Sequence, residues 1–214
     1  MEILNLISES TQRGQAPTVR ELVAKAILEG IDAKTILNEG LLKGMMLLGE
    51  KFKKNEAFVP EVLIAARAMN EGTKILESEL LKAGVKPIGK AIIGTVKGDL
   101  HDIGKNLVGM MLKGAGIEVI DLGVNCDAEK YIKAAEDNNA NLIILSALLT
   151  TTMPYMEEII KTLKDRGLRD KYNVLIGGAP INEEYCKKIG ANFYTSDATT
   201  CAQKARELIL ESVN

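Results

Sequence analysis

The chain of 214 residues contains few of the residues that build disulfide frameworks and metal clusters. Its three cysteines, Cys126, Cys186 and Cys201, are widely spaced and include no C-x-x-C pair. This pattern argues against a disulfide framework and against a zinc site, and it favours buried or incidental thiols. Histidine is scarcer still, because His101 is the only one in the chain.

Long apolar runs and blocks of one charge are also lacking. No stretch approaches the roughly 20 apolar residues of a membrane span, and the apolar run near the N-terminus is too short for a signal peptide. The formal net charge of −2, without a concentrated basic block, gives no electrostatic footprint for nucleic acid. We therefore expect a cytoplasmic protein that binds neither a membrane nor nucleic acid.

Residues 1–86 have the apolar periodicity of helices. One apolar stripe runs over residues 19–27, and another, which includes Leu63, runs over residues 59–80. Pro60 suits the first turn of the second of these helices. We interpret this part of the chain as a bundle of about four helices.

Three glycines, Gly40, Gly44 and Gly49, lie in a segment between the two stripes that is otherwise helical in pattern. A glycine in a helix interior costs about 1 kcal/mol relative to alanine, so its presence needs a reason. Tight contact between helices and close approach of a bulky ligand are both open explanations.

After residue 90 the pattern alternates between strand and helix. Five short segments are rich in β-branched and apolar residues: 91–96, 117–123, 141–148, 173–178 and 191–195. Their nearly continuous apolar character is typical of a parallel sheet that is covered on both faces. With right-handed crossovers, residues 90–214 are predicted to form an α/β domain with a doubly wound, five-stranded parallel sheet.

Three unusual loops follow strands of this predicted sheet. They are GDLHDIG (98–104), SALLTTTM (146–153) and the pair Gly177-Gly178. In such sheets, ligands bind where loops leave the carboxyl ends of the strands. Each loop alone is a weak signal, but all three belong to one edge of one sheet.

His101 lies in the first loop, with Asp99 two residues before it and Asp102 directly after it. A lone histidine is more often structural than functional. Here, however, a nearby aspartate can hold one ring nitrogen and leave the other free to bind a metal. A single imidazole cannot build a zinc site, but it can be an axial ligand to a metal held by a macrocycle. This reasoning indicates a haem or a corrinoid.

Small and hydroxyl-bearing residues fill the rest of these loops. Backbone without a Cβ atom at Gly104, Gly177 and Gly178 would let an extended ligand approach, although turns between strands and helices favour glycine in any case. The second loop supplies hydroxyl groups, for which a solvated turn or a helix N-cap is the alternative interpretation. These hydroxyls belong to Ser146, Thr150, Thr151 and Thr152.

The three loops together resemble the cobalamin-binding signature D-x-H-x-x-G, S-x-L and G-G, with spacings similar to those of methionine synthase and the corrinoid methyl carriers. The segment GLLKGMMLLGEKFKKNEAFVPEVLIAARAM (40–69) resembles the helical cap that precedes the B12 module in corrinoid proteins of methanol, methylamine and methoxyarene systems. The resemblance implies a cap domain at 1–86 and a Rossmann-like cobalamin-binding domain at 90–214.

The resemblance also implies a set of site residues. His101 would be the lower axial ligand of cobalt once the benzimidazole of the cofactor is displaced (base-off, His-on). Asp99 would hold the imidazole as the second member of the catalytic pair, and Thr152 would complete the relay. The cofactor-binding set is Asp99, Leu100, His101, Asp102, Ile103, Gly104, Ser146, Leu148, Thr150, Thr152, Gly177 and Gly178.

The function implied by the resemblance is that of a methyl carrier. Such a chain would carry a methyl group on cobalt from a substrate-specific corrinoid methyltransferase to a second methyltransferase that acts on a tetrahydrofolate or thiol acceptor. A corrinoid-reactivating protein would be a third partner. The chain would be a component of an enzyme system and would not turn over alone. The candidates for shielding the methyl-bearing face are Phe58, Val59, Glu61 and the Met45–Met46 region.

Three other functions are open alternatives. A cobalamin-sensing regulator would carry a DNA-binding module ahead of the cap, and too few residues precede the first stripe for one. The small B12-binding subunit of an adenosylcobalamin mutase resembles the second domain but has no helical cap. A flavodoxin-like domain with a helical extension would bind no corrinoid.

Overall fold

The computed structural model describes residues 2–212, which form two compact units. The first is helical and runs to Pro87, with Gly114–Gly116 added, and the second comprises the rest of the chain from Ile88 onwards. Within the described residues, no helix is both long enough and apolar enough to cross a membrane.

The first unit contains four helical stretches in the described part of the chain. The first two are α1 (Glu2–Gln12) and α2 (Ala16–Leu28), and the last is α5 (Val59–Lys82). The third is continuous and consists of α3 (Ala33–Thr35), a π-helical segment (Ile36–Leu42) and α4 (Lys43–Lys53). The number agrees with the expectation of about four. The apolar pattern did not predict α1, because its buried face includes the polar residues Ser8, Ser10 and Thr11.

The buried face of α5 differs by one residue from the predicted stripe. Leu63 was expected in the core, but it is 43% exposed. Val62 is buried instead, while Met69 and Leu76 of the predicted stripe are buried as expected. These three residues are spaced by seven, which is close to two helical turns, so they share one face of the helix.

Two of the three glycines before α5 are explained by helix packing within this unit. A Cβ atom on Gly40 would lie 2.8 Å from Cγ2 of Ile7, and one on Gly44 would lie 2.7 Å from the backbone oxygen of Ser8. Both distances are far below van der Waals contact, so α1 can pack this closely only against glycine. Tight helix contact therefore accounts for Gly40 and Gly44.

The second unit has the predicted doubly wound arrangement. Its elements are β1 (Lys90–Thr95), α6 (Ile103–Gly114), β2 (Glu118–Asp121), α7 (Ala128–Asp137), β3 (Leu142–Ser146), α8 (Pro154–Asp165), a 3-10 turn (Arg169–Lys171), β4 (Asn173–Gly177), α9 (Glu183–Ile189), β5 (Phe193–Tyr194) and α10 (Ala198–Glu211). The strand order is β2-β1-β3-β4-β5, and every pairing is parallel. The prediction of a five-stranded parallel sheet after a helical bundle is confirmed.

The register of the sheet aligns the three motif loops. Thr95 of β1 pairs with Ser146 of β3, and Ser146 pairs with Gly177 of β4. Residues in register on parallel strands point to the same face. The loops that follow these strands therefore begin side by side at the carboxyl edge, over a sheet whose centre is buried, as at Ile92, Ile143 and Val174.

Candidate functional site

The carboxyl group of Asp99 is the centre of the site. Asp99 follows β1 and is completely buried. Its Oδ1 accepts a hydrogen bond from the backbone N–H of His101 at 3.0 Å and lies 2.7 Å from Nδ1 of the same residue. This short local arrangement places the imidazole directly against the carboxylate.

The second carboxylate oxygen is bound by the loop after β3. Oδ2 of Asp99 accepts hydrogen bonds from the backbone N–H groups of Leu148 at 2.8 Å and Leu149 at 3.3 Å. The hydroxyl of Thr152 lies 2.8 Å from the same oxygen. A single buried carboxylate thus joins two loops that are about fifty residues apart in the sequence.

These donors keep Asp99 ionised. Burial alone would raise the pKa of the carboxyl group, because the charged form loses its hydration. Hydrogen bonds from the backbone of Leu148 and from the backbone and ring of His101 outweigh burial, with Thr152 adding to them, and hold the pKa well below its ordinary range. Asp99 is therefore a permanent acceptor at neutral pH.

An ionised carboxylate determines which ring nitrogen of His101 carries the proton. Asp99 can only accept, so Nδ1 must be the donor. In the neutral ring, the lone pair then lies on Nε2. The side chain of His101 is 51% exposed, whereas its anchor Asp99 is buried. Thr95 holds the backbone at this point, because its hydroxyl donates to the carbonyl oxygen of His101 at 2.9 Å.

Large apolar side chains are unusually exposed in the two loops that meet at Asp99. Leu100 and Ile103, on either side of His101 in the chain, are 71% and 77% exposed. Leu148 and Leu149, which contact Asp99 through their backbones, are also exposed. Monomeric proteins rarely leave such a group of large apolar residues in water unless it binds something. The surroundings of His101 are thus suited to a large ligand with an apolar face.

The three glycines of the predicted site have different local surroundings. A Cβ atom on Gly178 would lie 1.8 Å from the backbone oxygen of Ala147, and one on Gly177 would lie 3.2 Å from the oxygen of Thr195. Close packing of neighbouring backbone therefore already favours glycine at both positions. Gly104, in contrast, has no atom of residues 2–212 within 4 Å of the place where a Cβ atom would be. Packing against this part of the chain therefore does not explain the glycine.

The hydroxyl groups of the second loop are not equivalent. Thr152 is buried against Asp99, while Thr150 is exposed and takes no part in the hydrogen bonds around that carboxylate among the described residues. Ser146 is the last residue of β3 and lies between Thr95 and Gly177 on the same face of the sheet. The geometry thus brings Thr152 to the Asp99–His101 pair and leaves Thr150 at the surface.

Four polar residues at the same edge were not predicted. Lys105, Asn106 and Asp121 form hydrogen bonds that reach Asp102, the residue after His101. Asn125 also holds the loop, since its backbone N–H donates to the backbone oxygen of Asp99 at 3.1 Å.

One sequence signal was available for Lys105. This lysine lies seven residues before the buried Leu112, on the same face of α6.

The candidates for a shielding function in the helical unit are only partly at the surface. Phe58 and Met46 are exposed, but Met45 is fully buried and cannot contribute a surface. Val59 is partly buried as the first residue of α5. The side chain of Glu61 closes the start of that helix, where its Oε2 accepts the backbone N–H of Phe58 at 2.7 Å.

Comparison with known proteins places this geometry in a family. A family described as "B12 binding domain" matches residues 89–202, and a second family with the same description matches residues 3–77. A corrinoid protein of Desulfitobacterium hafniense is 39% identical over 212 residues, which cover 98% of each chain. The chain belongs to the corrinoid protein family.

A further relative and two solved structures match nearly the whole length of this chain. Dimethylamine corrinoid protein 2 of Methanosarcina mazei is 39% identical over 210 residues, covering 98% of each chain. The methanol:cobalamin methyltransferase complex MtaBC from Methanosarcina barkeri superposes with a TM-score of 0.87 at 27% identity, covering 98% of this chain and 80% of that chain. A cobalamin-binding protein from Desulfitobacterium hafniense superposes with a TM-score of 0.80 at 28% identity, covering 96% and 98%.

The residues of this corrinoid protein fit a corrin cofactor in three respects. The metal of a macrocycle can take an axial ligand from the protein, and in its neutral form His101 offers one nitrogen with a free lone pair. The exposed side chains of Leu100 and Ile103 provide apolar surface beside it. The open space at Gly104 leaves room for a ligand that approaches the first turn of α6. The expected binding of cobalamin is supported by the family match and is consistent with this site.

Proposed function

We propose that the chain carries a methyl group on a bound corrinoid between two methyltransferases, with His101 as the lower axial ligand of cobalt in the base-off, His-on form. When bound, a corrinoid supplies a cobalt ion that can accept, hold and release a methyl group. The observation that carries the proposal is the buried Asp99 carboxylate, which binds Nδ1 of the half-exposed His101 ring and so leaves the lone pair of the neutral ring on Nε2.

The chain's own residues would control the imidazole in three ways. Asp99 orients the ring and keeps a proton on Nδ1. The backbone N–H of Leu148 holds Asp99 in place and keeps it ionised. The hydroxyl of Thr152 lies between Oδ2 of Asp99 and the backbone oxygen of Leu149, at 2.8 and 2.9 Å, so it can turn from one acceptor to the other. This rotation would change the number of hydrogen bonds that Asp99 accepts. It would do so when the imidazole of His101 holds its Nδ1 proton more or less tightly.

The remaining predicted residues are assigned on the same basis. We propose that the binding surface comprises the loop from Asp99 to Gly104, with Leu100, Asp102 and Ile103 around His101. Ser146, Leu148, Gly177 and Gly178 would line the slot for the nucleotide tail, because the register sets Ser146 beside Gly177 at one edge. Thr150 is the weakest member of the set, since it lies at the surface of its loop.

The division of labour along the chain is also a proposal. Residues 1–86 would form the cap, supported by the match over 3–77, and residues 90–214 would form the cobalamin-binding domain, supported by the match over 89–202. The partners would be a substrate-specific corrinoid methyltransferase, a second methyltransferase for a tetrahydrofolate or thiol acceptor, and a corrinoid-reactivating protein. We propose a cytoplasmic location for this system.

The test is cofactor binding by the purified chain. Wild-type protein, His101→Ala and the control Lys133→Ala are mixed with hydroxocobalamin and desalted, and visible spectra are recorded. Lys133 is an exposed residue of α7, so its variant should behave as wild type. We expect wild type to retain the corrin band, with a spectrum that changes in His101→Ala because the axial nitrogen is lost. No retained corrin, or identical spectra with and without His101, would contradict the proposal.

A further inference from the structure

Lys105 is buried, which is unusual for a lysine. It belongs to the first turn of α6, and its side chain is only 2% exposed. Lysine is almost never buried unless its charge is paired. Here the ammonium group forms an ion pair with Oδ2 of Asp121 and donates to Oδ1 of Asn106 at 2.7 Å. The protein thus maintains a buried charge beside the loop that carries His101.

The orientation of Asn106 is set by its two partners. An ammonium group only donates and an ionised carboxylate only accepts, so the amide oxygen must face Lys105 and the amide nitrogen must face a carboxylate. That carboxylate is Asp102, whose Oδ2 accepts from Nδ2 of Asn106 at 3.0 Å. The hydrogen bonds therefore run in one direction, from Lys105 through Asn106 to the residue that follows His101.

The other end of this chain of contacts is fixed to the sheet. Asp121 is the last residue of β2, and its Oδ1 accepts the backbone N–H of Gly123 at 2.8 Å. Four residues later, Asn125 donates its N–H to the backbone oxygen of Asp99. The end of β2 and the segment after it therefore hold the His101 loop on both sides, because Asn125 binds Asp99 before the histidine and Asp121 binds Lys105 after it.

We propose that Lys105 is a positioning residue for His101. Its ammonium group orients Asn106, which holds Asp102, and this keeps Nδ1 of the imidazole hydrogen-bonded to Asp99. The inference deepens the proposed function, since the nitrogen that it positions is the one assigned to cobalt. Lys105 itself contacts neither the imidazole nor, by this assignment, the metal.

Two single variants interrupt the contacts at different points. Lys105→Met removes the donor to Asn106 and keeps the length of the side chain. Asn106→Asp is nearly isosteric and keeps an acceptor for Lys105, but it opposes Asp102 with a second carboxylate, which repels it. Lys113→Met is the control, because Lys113 is an exposed lysine on the same helix. If the fold of Lys105→Met is weakened by the unpaired Asp121, the double variant Lys105→Met/Asp121→Asn removes both charges.

The first readout needs no cofactor, because His101 is the only histidine in the chain. With 15N-labelled histidine, the ring nitrogens of the apo protein give one set of NMR signals at about pH 9, where an ordinary histidine is neutral. We expect the Nδ1–H tautomer to predominate in wild type and in Lys113→Met. Its fraction should fall in Lys105→Met, in Asn106→Asp and in the double variant.

The second readout is the affinity for hydroxocobalamin, measured by equilibrium dialysis. Substitution of a residue that orients a metal ligand typically lowers the affinity for the metal by about 10- to 100-fold. We therefore expect about a tenfold loss of affinity for hydroxocobalamin in the three variants and none in the control. A wild-type tautomer distribution and wild-type affinity in folded Lys105→Met and Asn106→Asp would overturn the inference. Failure of wild type to bind hydroxocobalamin would instead refute the proposed function, and the tautomer measurement would still decide the role of Lys105.

Discussion

The hydroxyl of Thr152 and the carboxylate of Asp99 lie 2.8 Å apart in a buried setting, 53 residues apart in the sequence. A hydroxyl has one proton, and Leu149 offers it a second acceptor at 2.9 Å. Thr152 therefore contributes a donor to Asp99 that can be withdrawn without any change of the backbone.

The first prediction concerns this hydroxyl. Thr152→Val keeps the shape of the side chain but removes a donor to a buried charge, so the free energy of unfolding should fall by about 1.5–3 kcal/mol. Thr152→Ser keeps the donor, so its free energy of unfolding should fall by clearly less. Urea unfolding of the apo protein measures both values. A loss of stability in Thr152→Ser with none in Thr152→Val would show that the methyl group, and not the hydroxyl, matters at this position.

The second prediction gives Gly104 opposite effects in the free and the loaded protein. Gly104→Ala meets no atom of the described residues within 4 Å, so the apo protein should gain about 0.5 kcal/mol from the reduced freedom of its unfolded chain. The added methyl group should nevertheless occupy space that the cofactor needs, and weaken hydroxocobalamin binding by about tenfold. Thermal unfolding and equilibrium dialysis provide the two measurements.

The same helix supplies a matched control for Gly104. An alanine at Gly109 would have an ordinary contact of 3.8 Å with Cγ1 of Val119. Gly109→Ala should therefore stabilise the apo protein as well, but leave the affinity for hydroxocobalamin unchanged. Wild-type affinity in Gly104→Ala would show that this glycine is not there for the ligand.

The third prediction is a dependence of stability on alkaline pH. Burial raises the pKa of the Cys201 thiol to about 12, from an ordinary value of 9.0. Above pH 9 the unfolded chain loses this proton first, so the stabilisation from the buried neutral thiol is complete below pH 9 and declines as the pH rises towards 12. The decline should be about 1.4 kcal/mol for each pH unit.

Comparison with Cys201→Ala isolates this contribution. The alanine variant lacks the thiol, while every other group that titrates at alkaline pH is shared with wild type. The difference in unfolding free energy between the two proteins should therefore shrink with rising pH above 9. A difference that stays constant would mean that Cys201 ionises equally in the folded and unfolded states.

The sequence predicted the architecture well because its signals are local. The five strands are short apolar runs between turn residues, and the helix that begins next to Pro60 has its expected first turn. Helix α1 was missed because serine and threonine occupy part of its buried face. Hydrophobic periodicity cannot find a helix whose core contacts are made by polar side chains and by glycines on its neighbour.

The site was predictable only where one loop contains both partners. Asp99 and His101 are two residues apart, so their contact could be inferred from spacing, and the position of Thr152 followed from a family resemblance. The link from Lys105 through Asn106 to Asp102, with Asp121 at its far end, depends on the pairing of β1 with β2. No pattern in the sequence specifies which carboxylate a buried lysine will meet.

Because Asp99 is bound by donors from two loops, the histidine-bearing segment is not a portable unit. An engineer who grafted residues 97–104 onto another parallel sheet would transfer the imidazole without the amide groups of Leu148 and Leu149 that stabilise its anchor. The transplanted aspartate would then be desolvated and under-bonded, and it would tend to take up a proton. A working graft would have to include the loop that follows β3.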